Sequence, residues 1–410
     1  MRFKRRLGVS MAAAATAMLA AAAGNAQTIG ERVDAIEKKL EEERSGLASA
    51  IGIDVHAMVD VGWLYSFNNP DDDAIRYRVF DPEHNDIDLT LFNLRFSREK
   101  EDEPVGFVVN LDFGQTADVV GQFTCWGGGC DPVPDKSEND NSVELREAFG
   151  YYKLPWGGIK IKGGKFVTLL GYEIIKNWDG YNPNISNSIM FGNAIPFTHT
   201  GFLANIPAGD FLAFDLGVVN GWDTVADNND SKSFLGGMTI APMDMLSIYL
   251  ATTYGAEQPN NGHSKRAVVT AAVSVKPTDM LTFALDVDYG NESDLHFAND
   301  PVAFPSEHTA EWYGMAAYAM IQPTDALSFN LRGEWFADPD GTRSGYVAED
   351  GDAGVTVWEI TPTMAYKITD GLLARLEYRH DEADDNGFFS KEGHFDASSN
   401  TIATEFIYAF

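Results

Sequence analysis

From Ile51 onward, apolar and polar residues alternate with a period of two. Ile51, Ile53, Val55, Ala57, Val59, Val61, Trp63, Tyr65 and Phe67 hold the odd positions, with Asp54, His56, Asp60 and Ser66 between them. This predicts a long strand with one apolar and one polar face. The rhythm returns in Phe107/Val109/Leu111/Phe113 around Asn110 and Asp112, and in Leu212/Phe214/Leu216/Val218 around Asp215. It returns again in Leu281/Phe283/Leu285/Val287/Tyr289 around Asp286 and Asp288, and in Leu327/Phe329/Leu331 beside Asn330, Arg332 and Glu334. Soluble sandwiches alternate too, but these strands are longer than the roughly 5–6 residues of globular sheets and suit a tilted membrane crossing.

The connections sharpen the reading. APMDMLS (241–247), KPTDMLT (276–282), QPTDALS (322–328) and KITDGLL (367–373) share one compact turn chemistry. Where Pro is present it presets φ, and Asp is expected to bond back to nearby backbone N–H groups. EKEDEP (99–104), LPWGG (154–158) and IPAGD (206–210) are three further short links. Between them lie long acidic segments near 68–86, 117–141, 167–195, 222–231, 256–263, 291–308, 338–352 and 381–397. Seven short turns and eight long loops predict sixteen strands with both ends on one side, the asymmetry of outer-membrane barrels. The expected fold is an all-β transmembrane antiparallel barrel of about sixteen strands, preceded by a short N-terminal periplasmic helix.

Residues 1–26 read as a signal peptide: MRFKRR, an Ala/Leu/Met run, then Gly24 and Ala26 before a cleavage point at Gln27. That run is short for a membrane anchor. Residues 27–48 carry Ile29, Val33, Ile36, Leu40 and Leu47 at coiled-coil spacing, which predicts a helix too short to stand without a partner. Residues 51–410 form the predicted barrel.

Asp and Glu outnumber Lys and Arg 61 to 30, and four of the thirty lie in the first six residues. Such an acidic chain will not neutralise phosphates, so no nucleic-acid partner is expected. With 12% aromatic residues it is not a solvated disordered polyanion either.

LREAFGYYKLPWGGIKIKGGKF (145–166) resembles the fourth and fifth strands of general bacterial porins. KFVTLLGYE (165–173), NPNISNSIMF (182–191) and PFTHTG (196–201) together resemble the OmpL-like outer-membrane porin family. The resemblance extends in pattern over Ile51–Phe410 and implies a Gram-negative outer-membrane channel for small hydrophilic solutes, as a homotrimer. Ile402, Thr404, Phe406, Tyr408 and Phe410 share one face and end on Phe. This resembles the C-terminal signal read by the barrel-assembly machinery.

Other constellations carry less. Cys125 and Cys130 in CWGGGC lack further thiol or imidazole ligands nearby and are expected to form a loop-closing disulfide in an oxidising compartment. EADDNGFFSKE near Glu382 departs from an EF-hand in its first residue and in the place of Glu392. Asp71–Asp73 and Asp227/Asp230 read as solvated loop faces. His199 with Ser186 and Ser188 has neither a nucleophile elbow nor a spacing that joins base to nucleophile, so no enzyme is predicted. No cofactor or metal is called for.

The expected function is therefore a water-filled outer-membrane porin for passive diffusion of small hydrophilic solutes and ions, surrounded by outer-membrane lipids. A substrate-specific channel, or a barrel serving as adhesin or surface receptor, is the alternative. Counting turns, the loop at 167–195 joins strands five and six and is expected to fold inward, carrying Glu173 and Asp179 with Trp178 and Tyr181. Lys160 and Lys162 alternate with Ile159 and Ile161 and should face water, as should Arg95 by parity; Arg146 joins them as the fourth basic candidate. A basic wall facing an acidic loop would set a transverse field at a constriction. Across the barrel, inward acids (Asp54, Asp60, Asp112, Asp215, Asp286, Asp288, Glu334, Glu377, Glu405) outnumber inward bases (Arg95, Lys160, Lys162, Arg332, Arg375, Arg379), which predicts modest cation selectivity.

Overall fold

The computed structural model describes residues 52–71, 73–123, 143–293, 309–344, 354–384, 388–389 and 395–410. The signal peptide (1–26), the N-terminal helix (27–48), the Cys125/Cys130 pair and the centre of the 382–392 segment lie outside these residues. Sixteen strands follow one another: β1 (Asp54–Ser66), β2 (Ile87–Arg98), β3 (Val105–Phe113), β4 (Val143–Lys153), β5 (Lys160–Val167), β6 (Thr198–Pro207), β7 (Leu212–Val219) and β8 (Ser233–Met243). The second half runs β9 (Leu246–Gly255), β10 (Arg266–Thr278), β11 (Leu281–Ser293), β12 (Thr309–Ile321), β13 (Leu327–Asp338), β14 (Val355–Thr369), β15 (Leu372–Ala383) and β16 (Ser398–Ala409). Each pairs antiparallel with its neighbours in sequence, and β1 closes the barrel on β16 with Asp60 opposite Ile407 and Gly62 opposite Glu405.

Burial along the strands is inverted relative to a soluble protein. On β11, Phe283 is 45% and Leu285 41% exposed, while Asp286 and Asp288 are 3% and 1% exposed. An apolar outer face stable in contact with its surroundings requires lipid there, and the polar positions then face inward. Short turns join the strands at one end and long loops at the other. Thr324 Oγ1 accepts from the Leu327 amide at 3.1 Å. The turn aspartates behave differently from the sequence expectation. Asp279 and Asp370 are solvated and pair with Lys276 and Lys367 three residues earlier, rather than with backbone amides. Gly371 takes φ +84° as the Ala409 amide reaches its carbonyl at 3.0 Å.

Two register shifts matter for the lumen. One falls between Asp60 and Val61 against β2, the other between Asn110 and Leu111 where β3 meets β4. At a bulge the alternation slips by one residue. Arg146 and Glu147 are consequently both buried, which simple parity along β4 could not anticipate.

The barrel also contains a core. Helix α1 (Gln115–Phe123) contributes Val119 and Val120, and the short helix α2 (Ile189–Asn193) contributes Ile189, Met190 and Phe191. Phe80 from the first loop and Leu170, Ile195 and Phe197 from the fifth-to-sixth-strand loop join them. They pack against inward residues Leu203, Leu235, Val268, Trp312 and Phe336. Part of the lumen is packed as a protein interior.

Candidate pore constriction

The segment between β5 and β6, residues 168–197, lies inside the barrel, as expected from its place in the strand order. An inward loop presents amides that water can no longer satisfy, and carboxylates of the wall supply the acceptors. Glu377 on β15 accepts from the amides of Ile185 at 2.6 Å and Ser186 at 3.0 Å. Glu334 on β13 accepts from Ile189 at 2.8 Å and Met190 at 2.5 Å, the first two amides of α2. Ser188 caps the same turn through the Phe191 amide at 3.0 Å. Asp286 on β11 takes the Tyr172 amide at 2.8 Å, and the indole N–H of Trp312 donates to the Ala194 carbonyl at 3.0 Å. The loop is thus tied to strands around much of the circumference.

Two of its three charged side chains, Glu173 and Lys176, are neutralised against the wall. Glu173 lies against β12 and β13, where Arg332 Nη1 bonds it at 2.9 Å and the Tyr318 hydroxyl donates to it at 3.0 Å. It does not face Lys160 and Lys162. Asp179 is exposed at the tip of a tight Asn177–Gly180 turn and accepts nothing from the wall; its own amide donates to Asn177 Oδ1 at 2.7 Å. Trp178 stacks on His56 with ring centroids 3.6 Å apart, and Tyr181 receives the Arg375 guanidinium over its ring at 5.2 Å.

Lys176, which the sequence reading passed over, is the central charge of the loop. Its ammonium bridges Asp60 on β1 at 2.9 Å and Glu405 on β16, and Glu405 is shared with Arg375. Arg146 on β4 bonds the Lys176 carbonyl at 2.7 Å and Asp112 at 3.0 Å. Above this cluster opens a vestibule lined by Asp81, Glu83, Asp86, Asp88, Thr90 and Gln115, and Lys176 with Glu405 forms its floor. The sequence signal for an inward loop was its apolar content: LL at 169–170 and IMF at 189–191 suit no solvated acidic loop.

The remaining basic candidates lie apart from Glu173. Arg95 on β2 pairs with Glu99. Lys160 sits over the Tyr151 ring at 5.0 Å, and Lys162 between Phe149 at 5.2 Å and Phe166 at 4.3 Å. Most of the predicted inward acids are buried, but Asp54 is exposed at the start of β1.

At the loop end, Asp223 between β7 and β8 accepts from the Phe197 and Thr198 amides at 2.8 and 2.7 Å. Burial pushes its carboxyl up to about 7, against the pull of those two amides and of Arg343. Arg343 rests on the rings of Trp222 and Trp312 at 4.5 and 5.5 Å, and burial lowers it to about 10. His199 contacts Thr168 Oγ1 and the Gly221 carbonyl at 3.1 Å each, while the Ser186 hydroxyl donates to Glu377 and Ser188 caps α2. These side chains hold the plug.

A closed sixteen-stranded antiparallel barrel with lipid-facing apolar residues, an inward loop and a charged vestibule is a channel of the porin class in the outer membrane. The chain belongs to the family described as "Putative beta-barrel porin-2, OmpL-like", which matches residues 52–410. Among solved structures, the outer membrane channel DcaP of Acinetobacter baumannii is 13% identical, covers 87% of this chain and 97% of its own, and has a TM-score of 0.57. An anion-selective porin from Comamonas acidovorans is 10% identical over 87% and 99%, with a TM-score of 0.58. Salmonella typhi OmpF in complex with daunomycin is 11% identical over 87% and 97%, with a TM-score of 0.55. At such identities these structures share the fold. A search of curated protein sequences finds no match. The family makes this chain a channel rather than an enzyme.

Proposed function

We infer that the protein is a passive diffusion channel for small hydrophilic solutes and ions, narrowed by the 168–197 loop and modestly cation-selective. The observation that carries this is the acidic vestibule ending on Lys176, Asp60 and Glu405, where the loop meets β1 and β16. Charged linings at a narrow, water-accessible point select by sign and size. The apolar packing inside the barrel supports a narrow passage, so solute-specific transport is the second reading. The purified protein in planar bilayers should show discrete single-channel steps in KCl. Current rising linearly with salt favours general diffusion; saturation or block by one solute favours the specific channel, and absence of steps refutes both.

Three further assignments go with this reading. The leader at 1–26 is removed on export, and Cys125 and Cys130 form a disulfide. The chain assembles as a homotrimer, as a trimer form of Vibrio cholerae OmpT with the same fold does (11% identity, TM-score 0.51). Phe406, Tyr408 and Phe410 on the last strand engage the barrel-assembly machinery, and outer-membrane lipid surrounds the wall; Phe406 is 54% exposed outward.

A further inference from the structure

We propose that Lys160 and Lys162 form a subsite for small carboxylate anions on the turn-side half of the lumen, a site distinct from the Lys176 constriction. The proposal rests on the channel reading above, in its solute-specific form, and adds a ligand class to it.

The argument begins with charge pairing. Most inward cations of the wall have a carboxylate partner: Arg95 with Glu99, Arg146 with Asp112, Arg266 with Glu292, Arg332 with Glu173 and Glu359, Arg375 with Glu405, and Arg379 with Asp381. Lys160 and Lys162 break this rule. Among the described residues neither forms an ion pair or a hydrogen bond; their ammonium groups rest on the rings of Tyr151, Phe149 and Phe166. Both are half-buried. The ring faces hold the ammoniums on one side and strip part of their water. Glu147, Asp215 and Glu99 lie within electrostatic range of Lys162, but none of them bonds it, so the side turned to the lumen is left open to an anion.

Register places the pair on one inward face. Lys160 is opposite Asn205 and Lys162 opposite Leu203 on β6; the Asn205 side-chain amide donates to Asp215 at 2.9 Å, which orients that carboxylate without cancelling its charge. Side chains two apart on a strand share a face, so both ammoniums can approach a single anion. The surrounding rings favour a solute whose carboxylate carries an apolar body. Lys160 opens β5 directly after the turn at 154–159, while the vestibule and its Lys176 floor lie toward the loop side. The subsite is therefore reached first from the turn side, the periplasmic one.

The test uses the full mature chain in planar bilayers in KCl, with potassium benzoate added to one side at a time and benzamide as the uncharged probe. Benzoate is expected to reduce conductance more strongly from the turn side, and benzamide to leave it unchanged. Lys160→Gln with Lys162→Gln should weaken the block about tenfold per charge removed. Arg at both positions should preserve it, as should Lys276→Gln on an exposed turn. A conducting wild type indifferent to benzoate, equal block by benzamide, or undiminished block in the double Gln variant each overturns the subsite alone. A wild type that does not conduct overturns the channel reading and the subsite with it.

Discussion

A carboxyl group removed from water favours its neutral form, and Asp223 shows how far two amide bonds offset that preference. Its pKa of about 7 lies above the ordinary 3.8. A carboxyl raised in the folded state contributes stability that is complete below the unfolded pKa and is lost as pH rises through the folded one. Stability should therefore fall between about pH 4 and 7, by up to ~1.4 kcal/mol per unit. Urea midpoints of the detergent-folded protein should decline over that window for the wild type and stay flatter for Asp223→Asn, whose amide oxygen still accepts from Phe197 and Thr198. Equal slopes would place the acid-dependent step elsewhere. Space is as exacting as charge at Gly290, where an added Cβ would run into the Trp312 ring that Ala194 holds by its indole bond. Gly290→Ala is expected to destabilise by about 1–3 kcal/mol, as overpacking does, read as a lower melting temperature.

The strands and the inward loop differ in how much of them the sequence discloses. A period of two states its own geometry, so Phe283, Leu285 and Val287 mark the lipid face in the sequence itself, and turn spacing marks sixteen strands. Parity was reset at bulges, as at Arg146, and the exposed Asp54 at the start of β1 also departed from it. The loop at 168–197 has no period. Its inward course was expected from strand order, but the charged partners of Glu173 and Lys176 lie more than a hundred residues away in sequence, in Arg332, Asp60 and Glu405. Such contacts depend on which side of the closed barrel each strand occupies, which no local pattern encodes. The anchoring itself can be tested. Charge-assisted amide bonds contribute roughly 1.5–3 kcal/mol each. Glu334→Gln with Glu377→Gln replaces two bidentate acceptors by neutral ones. The variant should keep the heat-modifiable barrel, become sensitive to limited proteolysis within 168–197, and show larger or flickering single-channel currents. A quiet, protease-resistant channel would mean that the apolar contacts of Ile189, Met190 and Phe191 alone hold the loop.

For the molecule as a whole the decisive quantity is which charges an entering ion meets. The chain carries a formal net charge of −31, yet many acids of the wall are spent on Arg, Lys or loop amides and contribute little field. Glu173 of the inward loop is likewise compensated, bonded to Arg332, Tyr318, Asn187 and the Ser188 amide. Asp86 is exposed and Asp88 half-buried, and with Glu83 they form a carboxylate cluster lining the vestibule. Exposed acids at a funnel concentrate cations over about a Debye length, ~10 Å at 0.1 M salt, and the effect fades as salt rises. The channel should thus prefer K⁺ over Cl⁻ in dilute KCl gradients and lose the preference toward 1 M. Asp86→Asn with Asp88→Asn should shift the reversal potential toward zero. Asp179→Asn should do so less, because that carboxylate sits on a loop tip between Trp178 and Tyr181 on the far side of Lys176, and Glu173→Gln least, because its charge is already compensated. The reverse ranking would put the selective field at the 168–197 loop instead of the vestibule, and a preference for Cl⁻ in the wild type would assign it to Lys160 and Lys162.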